Sequence, residues 1–297
     1  MRIVVTGTKG QLAQSLLASA TADISLIAVG RLSLDFERLQ SIAPALAAAD
    51  PDVIVNAAAY TAVDQAETEE ARAFRINATA AGAVAAAAKK LGVPVIHLST
   101  DYVFDGTAST PYRETDATSP INAYGRSKLA GESNVATAHP DHVILRTSWV
   151  YSPFGQNFVK TMLRLGETRD TISVVADQHG SPTSAQDIAR AIVAIAKRLN
   201  ESPGDASLRG LFHMTGSGET TWAQFAQAIL DDAATHGRNR VNVVPIAAAE
   251  YPTAAARPQN SRLNCDKLAQ IYGLRLPDWR ASTRACVAQL LDGVQGQ

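Results

Sequence analysis

Ile3-Val4-Val5-Thr6-Gly7-Thr8-Lys9-Gly10-Gln11-Leu12-Ala13 decides the fold class of this chain. Four residues of a short buried strand run into a turn with glycine at its first and fourth positions, and a helix is expected to follow through about Ala20. Gly7 and Gly10 let a backbone approach a pyrophosphate, and the small Ala13 permits close helix–strand packing, so Gly-x-x-Gly-x-x-Ala in this position points to a dinucleotide site. Gln11 and Leu12, the next residues of that turn, join Gly7 and Gly10 as cofactor contacts.

Further along, the strand–helix rhythm repeats. Ser25-Leu26-Ile27-Ala28-Val29 reads as the second strand. An NAD-preferring site would place an acidic residue after it for the ribose 2′-hydroxyl, and here Gly30-Arg31 follows. Arg31 suits a 2′-phosphate, so NADPH is the expected cofactor, with NADH as the alternative. Asp35-Phe36 should open the next helical stretch, with Asp35 an N-cap and a partner for the adenine and Phe36 a further cofactor contact. Pro51 to Asn56 is a third buried strand. The small side chains of Ala57-Ala58-Ala59 would let the cofactor pass close to the backbone, and Tyr60 and Thr61 would lie beside its nicotinamide half.

Alanine density predicts one long helix from about Glu69 to Leu91, with Asn77 in its middle either as a satisfied core group or as an organiser of the cofactor site. The strand Gly92 to Ser99 ends at Leu98-Ser99-Thr100-Asp101, and His97 inside it reads as a hydrogen-bonded core histidine. Thr110 to Asn122 is a polar loop, and His142 to Thr147 the fifth strand. Strands alternating with helices in this way define an α/β fold, a doubly wound parallel Rossmann-like sheet, with ligands at the carboxyl ends of its strands.

The chemistry concentrates at one such end. Tyr124-Gly125-Arg126-Ser127-Lys128 places a phenol and an ammonium one helical turn apart. An ammonium beside a phenol should favour its ionised form and bring its pKa toward the working range. Thr100, leaving the fourth strand, would hold a carbonyl oxygen while Tyr124 protonates it. These three residues are the expected catalytic group.

Beyond residue 148 the pattern loosens. Residues 1–148 are expected to form the dinucleotide-binding core. Residues 149–297 are expected to form a smaller C-terminal substrate lobe that also completes the core. A helix over Asn157–Leu165, a strand near Ile172–Val175, a helix over Ser184–Leu199, a strand at Leu211–Met214 and a helix over Trp222–Ala234 are predicted. An irregular segment, Pro252–Asn264, precedes two terminal helices.

The chain has 297 residues and a formal net charge of -1, without a basic run, which argues against a nucleic-acid groove. Its two cysteines, Cys265 and Cys286, have no metal or disulfide spacing and read as unpaired thiols in helices. The sequence contains neither a signal-peptide pattern nor a long uncharged stretch, so no membrane partner is expected and the cytoplasm is the expected compartment.

Five blocks carry a family resemblance: Asp52 to Asp64, Ser99 to Gly106, Arg146 to Tyr151, Asn157 to Leu163 and Arg257 to Leu263. In this order, and over essentially the whole chain, they resemble the extended short-chain dehydrogenase/reductases and, more narrowly, the dTDP-4-dehydrorhamnose reductases. The resemblance implies reduction of the C4 ketone of dTDP-4-dehydro-L-rhamnose, with Tyr124 as proton donor and Lys128 on the nicotinamide ribose. It further implies Thr100 and Asp101 on the sugar, Trp149 stacked on or flanking it, and Gln178 and Arg257 holding the diphosphate and nucleoside. Some members carry acidic residues for a magnesium ion between subunits, one of them in the first helix. Ser15 stands there in this chain, so no metal is expected, and a homodimer is left open. The same superfamily holds other nucleotide-sugar reductases and epimerases, and a non-catalytic regulatory subunit. Retention of Thr100, Tyr124 and Lys128 favours an enzyme over the last.

Overall fold

The computed structural model describes residues 1–292; the last five positions of the expected C-terminal lobe lie outside the described residues. Six parallel strands form the main sheet: β1 (Arg2–Thr6), β2 (Ser25–Val29), β3 (Val53–Asn56), β4 (Val95–Thr100), β5 (His142–Thr147) and, after four short strands that belong elsewhere, β10 (Gly210–His213). Their spatial order is β10-β5-β4-β3-β1-β2. The direction of winding therefore reverses between β1 and β3, where an open α/β sheet leaves a crevice for a ligand.

Alternation within the strands explains the two helical layers. Ile3, Val5, Val53 and Val55 point to the side covered by α1 (Gln11–Leu17) and α8 (Ala185–Glu201), where they meet Leu16, Ile188 and Ile192. Val4 and Ile54 point the other way, toward Leu46 of α2 (Ile42–Ala48), Val84 of α5 (Ala80–Leu91) and Val135 of α6 (Ala123–Ala138). The chain thus returns to the first layer through α8 and β10 midway through building its second body.

That second body has its own core, in which Tyr151, Met162, Ile172, Phe225, Ile229 and Trp279 are buried together. It contains α7 (Phe158–Gly166), α9 (Trp222–Thr235) and α11 (Trp279–Asp292), and three two-stranded pairings. These are β6 (Val150–Tyr151) with β9 (Thr183–Ser184), β7 (Thr171–Val175) with β12 (Asn242–Ile246), and β8 (His179–Gly180) with β11 (Thr220–Thr221). Strand β12 is absent from the sequence reading; its Asn-Val-Val-Pro-Ile run is short, half exposed and interrupted by a proline.

Three local expectations need correction. Helix α1 ends at Leu17, earlier than Ala20. Asp35 does not cap a helix: its carboxylate accepts from Glu37 N and Arg38 Nε, bracing a turn that leads to a short 3₁₀ segment, Leu39–Ser41, ahead of α2. Cys265 stands at the N-cap of α10 (Asp266–Tyr272) and not within a helix, whereas Cys286 lies in α11.

The long alanine-rich helix exists but is not regular. After α3 (Val63–Ala66), α4 (Glu70–Phe74) runs into a π turn, Arg75–Thr79, before continuing as α5. Asn77 lies in that wider turn, a setting common at functional sites.

Candidate active site

Strand β4 and helix α6 bring the three expected catalytic residues together. Thr100 is the last residue of β4, in register with Thr147 of β5. Its hydroxyl donates to the Asp101 carboxylate at 2.9 Å and accepts from Tyr102 N at 3.2 Å, so it caps the 3₁₀ turn Asp101–Val103. Helix α6 begins at Asn122, whose side chain accepts from Gly125 N at 2.7 Å. Two glycines let α6 sit close to its neighbours. A Cβ at Gly125 would lie 2.1 Å from Tyr102 O, and one at Gly131 would lie 2.1 Å from Asn77 O.

Tyr124 is partly exposed, with its ring edge-on to Tyr102 at 5.6 Å, while Lys128 is buried. The Lys128 ammonium donates to Leu98 O at 2.6 Å. Burial pulls its pKa down to about 8, and the carboxylate of Glu132, one turn further on, pulls it back up. It therefore stays charged at neutral pH.

The phenol behaves differently from the sequence expectation. Burial, reinforced by the Asp101 carboxyl, pushes Tyr124 above the ordinary phenol range, and only contact with the Thr100 hydroxyl works against this. No lowering by Lys128 is seen, since the ammonium is turned to the Leu98 carbonyl. A raised pKa keeps Tyr124 protonated, the state a proton donor requires.

Beneath this group lies a buried ion pair missing from the sequence reading. Glu132 accepts from Arg146 Nε at 2.8 Å, from Arg146 Nη2 at 2.6 Å and from Ser99 Oγ at 2.5 Å. It ties α6 to the ends of β4 and β5, one residue before Thr100. The available signal was spacing: Glu132 lies one turn beyond Lys128 on the same helix face. His97 is the core histidine expected, its Nδ1 meeting Asn56 Nδ2 at 3.0 Å.

Asp101 is buried, and burial pushes its pKa up to about 6 against the hydrogen bond from Thr100 and the influence of the nearby Ser261 hydroxyl. Ser261 comes from the irregular C-terminal segment, so Asp101 joins the two halves of the site.

The residues expected to hold a dinucleotide line the crevice between β1 and β3. Gly7 adopts φ +89 and donates to Val29 O at 2.7 Å; a Cβ there would lie 3.4 Å from that of Ala58. A side chain at that position would be strained and would crowd the crevice. Thr6 Oγ1 accepts from Ala57 N and Ala58 N, fixing the small-residue run before Ala59. Asn77 is buried and fully hydrogen-bonded, as the core reading expects: it accepts from Tyr60 N at 2.8 Å and donates to Tyr60 O at 3.0 Å and Ser127 Oγ at 2.9 Å. It therefore couples the Tyr60–Thr61 turn to α6. Lys128 spends one of its three donors on Leu98, leaving donors that suit a hydroxylated ligand such as a ribose. Arg31 is exposed beside β2.

Two of the expected cofactor residues have their side chains engaged within the protein. Phe36 is in the core with Val4, Val29 and Ile42, which leaves its ring unavailable to adenine. The Gln11 side chain accepts from Ser152 Oγ and Asn157 Nδ2, both at 3.0 Å, so it fastens the glycine turn to the second body. Leu12 is half-buried against the core under β1.

On the other side of the cleft, Trp149 follows β5 with φ +48 and stacks on Trp222, ring centroids 3.6 Å apart. Gln178 precedes β8, whose His179 pairs with the C-terminal segment through Gln259 O and Ser261 N. Arg257 is engaged within the protein: its Nη2 meets Asp64 Oδ2 at 2.8 Å, while Asp64 Oδ1 accepts from Ala255 N at 3.0 Å. Asn122 Nδ2 donates to Ala256 O at 2.8 Å. Residues 255–257 are thus strapped between α3 and the start of α6.

A Thr/Tyr/Lys group at the end of the fourth strand, beside a glycine-lined crevice at the reversal of a parallel sheet, defines a reductase of the extended short-chain dehydrogenase/reductase class. The family model described as "RmlD substrate binding domain" matches residues 1–291. A dTDP-4-dehydrorhamnose reductase of Sinorhizobium fredii is 54% identical over 294 residues, covering 99% of both chains. The Salmonella typhimurium enzyme of the same name is 43% identical over 98% of each. Among solved structures, a dTDP-4-dehydrorhamnose reductase from Bacillus anthracis in complex with NADP superimposes with TM-score 0.89 at 37% identity, covering 97% of this chain and 99% of that one. The chain belongs to the dTDP-4-dehydrorhamnose reductase family. Among the described residues, no helix is long and apolar enough to cross a membrane.

Proposed function

We propose that this protein reduces the C4 ketone of dTDP-4-dehydro-L-rhamnose to the alcohol of dTDP-L-rhamnose, with NADPH as reductant. The convergence of Thr100, Tyr124 and Lys128 on one strand end, in a chain 54% identical to a reductase of that name, carries this assignment. The NADP bound to the Bacillus anthracis relative supports the choice of cofactor, as does exposed Arg31 in place of an acidic residue.

Bound reduced nicotinamide supplies the hydride to the carbonyl carbon. Tyr124 gives its proton to the carbonyl oxygen, so a C–H and an O–H bond form as the C=O π bond is lost. Thr100 orients that oxygen and contacts the phenol. Lys128 keeps its charge at neutral pH and holds the ribose, and Asp101 binds the sugar beside Thr100. Trp149 flanks the deoxysugar, with Gln178 and Arg257 on the diphosphate and nucleoside. A guanidinium suits that task because it offers parallel donors to phosphate oxygens.

The assay is oxidation of NADPH, and separately of NADH, dependent on dTDP-4-dehydro-L-rhamnose, with the sugar product identified by NMR. The expected result is formation of dTDP-L-rhamnose; absence of ketosugar-dependent oxidation with either cofactor would overturn the assignment. Arg31→Ala is expected to weaken NADPH binding about tenfold and leave NADH binding unchanged, the size of one charge-assisted phosphate contact. In this proposal residues 1–148 are the cofactor half and 149–297 the sugar half that also completes the sheet. The cytoplasm is the proposed site of action and a homodimer the proposed assembly, to be checked by cell fractionation and by light scattering.

A further inference from the structure

Trp149 is held in an unusual way. Its backbone has φ +48, a conformation rare for a bulky residue, which persists only where the surroundings over-determine it. Thr183 N donates to Trp149 O at 3.1 Å, and the next two residues form β6 against β9. The indole is fixed on both faces. Trp222 stacks on one with the planes 12° apart. On the other lies Gly180: a Cβ there would sit 2.4 Å from Trp149 Cε2, 2.6 Å from Cζ2 and 2.7 Å from Nε1, over the ring and not beside its edge. Trp222 and Gly180 cannot share a face, since a ring stacked at 3.6 Å already fills the first.

The two jaws have a common origin. Strand β11 pairs with β8 so that Thr220 is opposite Gly180, and Trp222 follows as the first residue of α9, fixed by a Thr221–Gln224 capping box. Phe158 packs behind Trp222 at 4.6 Å.

We infer that Trp222 is a positioning residue for the substrate: with Gly180 it clamps Trp149 so that the indole edge, with its N–H, is what faces the sugar. Stacking of the deoxysugar on the Trp149 face, one of the two sequence expectations, is excluded in this arrangement because both faces are occupied; flanking remains. The clamp bears on catalysis only through the sugar site proposed above, so the test separates the two.

Trp222→Leu is expected to raise KM for the ketosugar and to weaken binding of dTDP-L-rhamnose by about tenfold, the upper end of one aromatic stacking contact. NADPH affinity and kcat should stay within about threefold, and Trp222→Phe should restore most of the loss by keeping a flat ring in place. Gly180→Ala should give the same KM defect by pushing the indole aside. The stacked indoles should also produce an exciton couplet in the far-ultraviolet circular dichroism that is lost in Trp222→Leu and in Trp149→Phe. Wild-type KM and product affinity in both Trp222→Leu and Gly180→Ala, or a loss falling equally on NADPH, would overturn the clamp even if the wild type reduces the ketosugar. If Trp222→Leu does not fold, Gly180→Ala decides the matter by the same readings. A wild type that binds neither ketosugar nor dTDP-L-rhamnose would overturn both assignments, whereas one that binds the product without turnover would overturn only the reductase.

Discussion

The two walls of the active-site cleft are built on opposite plans. The wall made by β4 and α6 hangs its reacting groups from regular elements, and a buried carboxylate–guanidinium pair locks those elements together. The facing wall, with Trp149, Gln178 and Arg257, is made of loops and two-residue strands held by contacts between segments far apart in the chain. Chemistry that must keep atoms within fractions of an ångström sits on the stiff side. In the function proposed above, recognition of a large, flexible nucleotide sugar would fall to the side whose geometry is the sum of several weak ties.

The largest way to break this contrast is at Tyr124. Tyr124→Phe should lower kcat by about 10³-fold, within the range for loss of a general acid, with an unchanged melting temperature. A comparable fall in stability would mean that the phenol supports the wall and does not merely react there.

Next comes the lock. Glu132→Gln leaves Arg146 charged and buried without its anion, and should cost about 3 kcal/mol in urea unfolding. The double variant Glu132→Leu/Arg146→Met should recover much of that, because a buried pair is costly to break and contributes little over a well-packed apolar substitute.

Asp101 sharpens the comparison because it touches both walls. Its folded-state pKa of about 6 lies above the ordinary 3.8, so the folded protein retains a proton that the unfolded chain has lost. Stability should therefore fall as pH rises from about 4 to about 6, by at most about 3 kcal/mol, and stay lowered above that. Asp101→Asn should flatten that slope, melting higher than wild type at pH 7 and close to it at pH 4.

The smallest effect is expected on the loop wall. Arg257→Ala should raise KM for the nucleotide sugar about tenfold with NADPH binding unchanged, and Asp64→Asn should do so less, since it loosens the strap without removing the guanidinium. Equal effects of both on NADPH would place the strap on the cofactor instead.

The same division governs what could be read in advance. The parallel sheet was legible because Ile3-Val4-Val5, Val53-Ile54-Val55 and their successors are uninterrupted apolar runs followed by small residues, and both the runs and the turns are local. Tyr124 and Lys128 were legible because one helical turn relates them. The Glu132–Arg146 pair was not, since its partners lie on a helix and a strand joined only in three dimensions. Nor was the retreat of Arg257 to Asp64 or the capture of Trp149 between Gly180 and Trp222, each of which joins segments distant in sequence. The pKa of Tyr124 was misjudged for a related reason. Spacing places an ammonium near the phenol but does not say that Leu98 O takes it, or that burial dominates.

The π turn at Arg75–Thr79 makes chain length itself part of this arrangement. Removing a single residue there would let the segment wind evenly, an apparent gain in regularity. It would also swing α4 by about 100° relative to α5, the angle one α-helical residue subtends. Asn77 could then no longer grip the peptide at Tyr60 and the Ser127 hydroxyl together. Insertions and deletions in this helix should therefore be far less tolerated than substitutions on its exposed side.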